Sequence, residues 1–198
     1  PGLTAVLAIA ERVAELSERT KQWTKAAHDA GVQILIPYIC NQSIVGGKPE
    51  DRTGIWGFWD RWEDYEADMG PKPDADPIDW MQREPDGDLH FNYPYRYQPR
   101  SLRWAPCPNN PHWHAFLKQN VRLLAEYGYD GVFVDNNIIH CHCEHCQQGF
   151  REYLRSRYEP SELEATLGAS DYSELKLSTA GDKILWAEAQ PDYLEWIK

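Results

Sequence analysis

Gly128-Tyr129-Asp130-Gly131-Val132-Phe133-Val134-Asp135-Asn136-Asn137 reads as a tight turn, a short apolar strand and a polar exit. Gly128 suits the left-handed residue that follows a helix, and the β-branched and aromatic run before Asp135 suits a strand. Upstream, Asn110 and Pro111 make an N-cap and first-turn pair. Trp113, Leu117, Val121 and Leu124 then fall on one face of a helix that stops at Gly128.

The same order occurs nearer the N-terminus. Between Leu3 and Ala30 the residues Val6, Ile9, Val13, Leu16, Trp23 and Ala27 recur at helical spacing, and Gly31 takes the place just past the helix end. Val32 to Ile39 follows as a nearly continuous apolar run, the pattern of a parallel strand covered on both faces. Helix, turn and strand in succession, with long segments after each strand, predict an α/β fold of parallel β/α units, closed or open. Ligands meet such sheets at the C-terminal ends of the strands. Tyr38 and Asn41 stand there after the first strand, and Asp135, Asn136 and Asn137 at the second.

Residues 40–104 separate these units and are rich in Gly, Pro, Asp and aromatics, with one helix expected around Ile55, Trp59, Trp62 and Tyr65. An interval of that length reads as a functional loop. Downstream, Phe150, Tyr153, Leu154 and Tyr158 mark another amphipathic helix, and the rest through Trp186, Tyr193 and Trp196 reads as helical within the same single domain, 1–198.

Twenty basic against thirty-one acidic residues give a formal charge of −11 without a basic stripe, which argues against a nucleic-acid partner. No run of eighteen apolar residues occurs, so no membrane span is expected. Nine Trp and eleven Tyr are many for 198 residues. Their rings serve either as core or as platforms for sugar faces, and Trp56 and Trp59, with Trp62, are the candidates for the second use.

Four of the five cysteines lie between 107 and 146, three of them as Cys141-His142-Cys143-Glu144-His145-Cys146. Thiolates so spaced suit a tetrahedral Zn²⁺ better than disulfide geometry, and an odd total would leave one thiol unpaired. Cys107, Cys141, Cys143 and Cys146 would close the coordination shell around a structural zinc carried by the loop 138–146; His140, His142 or His145 in place of one cysteine is the alternative set. Cys40, at the first strand's exit, reads as a buried thiol.

Cys107-Pro108-Asn109-Asn110-Pro111, then Val134-Asp135-Asn136-Asn137, then the CxCxxC run and Phe150-Arg151-Glu152-Tyr153-Leu154 together resemble the catalytic domain of glycoside hydrolase family 42, the zinc-containing β-galactosidases. The resemblance is closest over residues 104–158. It implies a (β/α)8 barrel, hydrolysis of an O-glycosidic bond, the same four cysteines on zinc and a homo-oligomer. A complete barrel needs about 250 residues, so the chain is expected to be an incomplete portion, about strands 3 and 4 with flanking helices.

One residue departs from the family. Its fourth strand ends in Asp-Asn-Glu, whose Glu is the acid/base catalyst, and Asn137 stands in that place here. An amide cannot exchange that proton near neutral pH. Strand alternation puts Asp135 on the same face as Asn137, which makes Asp135 the candidate catalytic carboxylate. Asn136, Asn137, Tyr38, Asn41, Trp56 and Trp59 are then the candidate sugar contacts. A retaining mechanism would need a second carboxyl roughly 5 to 5.5 Å away and an inverting one roughly 6.5 to 9.5 Å away. The competing expectation is a carbohydrate-binding barrel that kept its zinc and lost catalysis.

Overall fold

The computed structural model describes residues 13–40, 43–94, 102–135 and 141–177. In chain order the elements are helix α1 (Val13–Asp29), strands β1 (Tyr38–Cys40) and β2 (Ile44–Gly46), short helices α2 (Ile55–Asp60), α3 (Glu66–Met69) and α4 (Pro77–Trp80), strands β3 (Phe91–Pro94) and β4 (Leu102–Trp104), helix α5 (Pro111–Glu126), strand β5 (Phe133–Asp135), and helices α6 (Glu144–Arg157) and α7 (Pro160–Leu167). They fall into two compact units, Pro1–Met81 with His90–Ile138, and Gln82–Leu89 with Ile139–Lys198.

In the first unit α1 and α5 end in the same way. Gly31 and Gly128 have φ of +93° and +87°. The Gly31 and Val32 N–H groups donate to His28 O and Ala27 O at 2.9 and 3.0 Å, and the Gly128 and Tyr129 N–H groups donate to Ala125 O and Leu124 O at 3.0 and 3.2 Å. Each pair satisfies carbonyls that a helix end leaves without partners, and each releases the chain into an extended segment. The segments meet as parallel strands in which Tyr38 pairs with Phe133, Ile39 with Val134 and Cys40 with Asp135. Helix, turn and strand thus follow one another twice and lie side by side, with strands shorter than the predicted runs Val32 to Ile39 and Gly131 to Asp135; the predicted helical stretches over 3–12 and 178–196 lie outside the described residues.

Their coverage differs from the sequence reading. Ile39 is buried, but Ile34 is 67% exposed and Phe133 56%, and Ile36 and Val134 are also open. All four side chains are more than half exposed. The helix faces also differ. Trp23 is 58% exposed while Ser17 and Thr24 are buried, and both hydroxyls reach Tyr127: Ser17 Oγ shares a hydrogen bond with Tyr127 Oη, and Thr24 Oγ1 donates to Tyr127 O as well as to carbonyls of its own helix. On α5 the buried stripe is Trp113, Phe116, Asn120, Leu123 and Leu124, with Val121 outside it. A polar side chain that has its partner can be buried, and hydrophobic periodicity does not register it.

The predicted 40–104 loop is instead largely folded. β2 and β3 flank β4 in an antiparallel sheet, Ile44 opposite Trp104 and Gly46 opposite Leu102, with an irregularity between Phe91 and Tyr93. Trp56 Nε1 and Trp104 Nε1 both donate to Gly47 O, at 3.0 and 2.9 Å. Beside the sheet, Phe58 stacks on Tyr65 at 4.8 Å, Trp59 meets Trp80 edge-on at 5.5 Å, and Trp80 and Trp113 both pack on Phe116. Each such ring is worth roughly 1.5–3 kcal/mol by burial alone. This cluster is the core that α2, α4 and α5 share.

In the second unit Arg83 and Leu89 bridge across a tight turn. α6 buries Cys146, Phe150 and Leu154, and α7 buries Leu163 and Leu167. α7 starts with Pro160 after a reciprocal cap between Glu159 and Glu162. Arg151 Nε donates to Leu175 O and the Leu177 N–H to Gln147 Oε1, both at 2.8 Å, fastening the chain after α7 to α6. No helix among the described residues is long and apolar enough to cross a membrane.

Candidate metal centre

Cys107 sits in a turn fixed at both ends. Its N–H donates to Trp80 O at 2.7 Å, its carbonyl accepts from the Asn110 N–H at 3.0 Å, and the preceding Pro106 bridges to Met81. Asn110, itself buried, caps α5 by accepting from the His112 and Trp113 N–H groups. Its own amide donates to Asp79 O at 2.8 Å. The Asn-Pro pair that starts the helix therefore also holds the turn that carries the sulfur.

Cys141, Cys143 and Cys146 are placed by the start of α6. The His142 N–H donates to Arg83 O at 2.9 Å, and Cys143 is the N-cap residue of α6, extended and without a side-chain capping bond. Cys146 lies in the first turn, three residues on. Helix N-termini carry positive partial charge, and two of the three sulfurs stand at one. Main-chain N–H groups also point at sulfur: Cys143 N–H donates to Cys141 Sγ and Asn109 N–H to Cys107 Sγ, each at 3.4 Å.

The four sulfurs of Cys107, Cys141, Cys143 and Cys146 lie within 4.8 Å of one another. All four are thiols; Cys107, Cys141 and Cys146 are buried and Cys143 is partly exposed. A tetrahedral shell with metal–sulfur bonds of about 2.3 Å requires sulfurs roughly 3.8 Å apart. The observed spread is about 1 Å wider at most. Four sulfurs suit zinc or iron, and four protein ligands leave no position for a substrate or a reactive water. The group could hold a metal ion. His142 and His145 stand outside the cluster, and His140 lies outside the described residues.

The other predicted site residues fare differently. Asp135 ends β5 beside Cys40 of β1. Tyr38 is partly exposed, its ring 6.0 Å from that of Phe133. Asn41, Asn136 and Asn137 lie outside the described residues. Trp56 and Trp59 correct the expectation of sugar platforms: Trp56 is 0% exposed and Trp59 is buried against Trp62 and Trp80, so neither offers a ring face to a ligand. Trp62 is buried with them.

The carbonyls of Asp79, Trp80 and Arg83, which hold the cysteine-bearing segments, are absent from the sequence reading. A main-chain acceptor is the same group in every residue, so only the run's length without a strong helix pattern hinted at a supporting role. Comparison with protein-family models, with curated proteins and with solved structures gives no match for the chain.

Proposed function

We propose that the chain is part of a glycoside-hydrolase-like β/α barrel that hydrolyses O-glycosidic bonds of an oligo- or polysaccharide, with zinc on Cys107, Cys141, Cys143 and Cys146 as a structural cofactor. The observation that carries the reading is the convergence of those four sulfurs, the set that the resemblance to family 42 implies. The parallel pairing of β1 with β5 supports it, because it brings the ends of both strands to one edge.

When bound, zinc contributes folding energy to the segments that carry its ligands. The chemistry belongs to the chain's own groups. Asp135, ending β5, is the carboxylate assigned to nucleophilic or acid/base work, and it takes its second carboxyl from another strand or from the 40–104 segment. Tyr38, Asn41, Asn136 and Asn137 orient the sugar by hydrogen bonds and ring contact. Asn137 favours a second reading, a catalytically inactive carbohydrate-binding barrel that retains the zinc, because an amide holds sugar hydroxyls but transfers no proton.

Metal analysis of the purified protein and a panel of aryl glycosides test both. The expected result is one zinc per chain and a substrate whose turnover falls about 10²–10⁴-fold in Asp135→Asn. Unchanged turnover in that variant removes Asp135 from the mechanism. Sugar binding by calorimetry without turnover on any glycoside selects the second reading, and a chain purified without transition metal overturns the zinc assignment.

A further inference from the structure

His28, in the last turn of α1, stands between the two helix–turn–strand passages. Its Nδ1 lies 2.7 Å from Val32 O in its own turn, and its Nε2 lies 3.2 Å from Gly128 O in the other. Nε2 is also 3.4 Å from Asp130 Oδ2. Asp130 is tied across the same gap twice: its Oδ2 accepts from the Leu35 N–H at 2.8 Å, and its own N–H donates to Leu35 O at 3.0 Å.

Both ring nitrogens of His28 therefore face main-chain carbonyls, and a carbonyl oxygen only accepts. A neutral imidazole carries one N–H and presents a lone pair at its other nitrogen; the imidazolium donates from both. The remaining surroundings favour the cation as well. The C-terminal end of α1 carries negative partial charge, and the carboxylates facing the ring are Asp130 and Asp29, the latter paired with Lys25 on α1 at 2.6 Å.

We propose that His28 is a proton-operated clasp on β1 and β5: as the imidazolium it bonds the carbonyls of both turns and pairs with Asp130, and on losing its proton it keeps only one of the two carbonyl bonds. The clasp lies at the N-terminal ends of the strands, away from the end that carries Asp135. It thus tunes how firmly the two passages hold their register without touching the proposed site. The Val32 and Gly128 carbonyls, and after them Asp130 and Asp29, hold the imidazole above its ordinary value against the opposing effect of burial. Stability from a group so shifted is complete below the unfolded value of about 6.5 and is lost as pH rises through the folded one.

Proton NMR titration of His28 in the full chain tests the clasp, with thermal midpoints of the wild type, His28→Gln and Asp130→Asn between pH 5.5 and 9. Glutamine keeps one donor and does not titrate. The expected results are a His28 midpoint above 6.5 that falls in Asp130→Asn, and a melting gap between wild type and His28→Gln that narrows as pH rises. A His28 midpoint at or below 6.5 overturns the clasp, and so does a gap that is the same across the range.

Discussion

The Asn110 side chain accepts from two N–H groups at the start of α5 and donates to Asp79 O, all from a buried position one turn from Cys107. Removing it takes away a helix cap, worth about 1 kcal/mol, and a part-buried hydrogen bond to Asp79 O, worth roughly 0.5–1.5 kcal/mol. Asn110→Ala is therefore expected to cost about 2 kcal/mol in urea unfolding followed by circular dichroism. Asn110→Ser keeps an acceptor for the helix but cannot reach Asp79, and its cost should be about half. A loss below about 0.5 kcal/mol for the alanine variant would mean that the cap and the tie to Asp79 are not what fixes this turn. Asn110 was legible in the sequence because Asn before Pro at a helix start is a local pattern. Its bond to Asp79 was not, because the acceptor is a carbonyl thirty-one residues away.

Gly31 and Gly128 close α1 and α5 by the same hydrogen-bonded motif, yet their surroundings differ. A Cβ on Gly31 would meet nothing within 4 Å, whereas one on Gly128 would lie 3.1 Å from Thr24 Oγ1, the hydroxyl that donates to Tyr127 O. Gly31→Ala should thus cost only the left-handed backbone penalty, about 1–2 kcal/mol, and Gly128→Ala distinctly more. Equal unfolding midpoints for the two variants would show that the Thr24 contact yields freely. These helix ends could be read in the sequence because positive φ favours one residue type. β2, β3 and β4 could not: each is three or four residues long, and their pairing is set by partners up to sixty residues distant. The aromatic platforms were misread for a related reason. A tryptophan at helical spacing looks the same in sequence whether its face meets Trp80 or a sugar, and burial decides.

For the whole molecule, stability is bounded on two sides by pH. Hydrogen bonds from Arg52 hold the Asp60 carboxyl below its ordinary range, so that contribution is present above about pH 4 and is lost as pH falls further. The His28 contribution is lost in the other direction. The contribution of a metal is therefore best read near pH 7 at fixed buffer, where the first is intact and the second constant. Two parallel strands are marginal on their own, and the cysteine-bearing segments draw on short turns and one helix end. A ligand that binds only the folded chain adds about 4 kcal/mol when its free concentration is 1,000 times its Kd. For a chain of this size each kcal/mol moves the midpoint by roughly 2–4 °C. Saturating zinc is thus expected to raise the thermal midpoint of the chelator-treated protein by about 10 °C, and Cys146→Ser to abolish most of that rise. Cys40→Ser, a change at the fifth cysteine of the sequence, should keep it in full. A midpoint indifferent to zinc, or a rise as large in Cys146→Ser as in wild type, would show that the four sulfurs converge without serving as ligands.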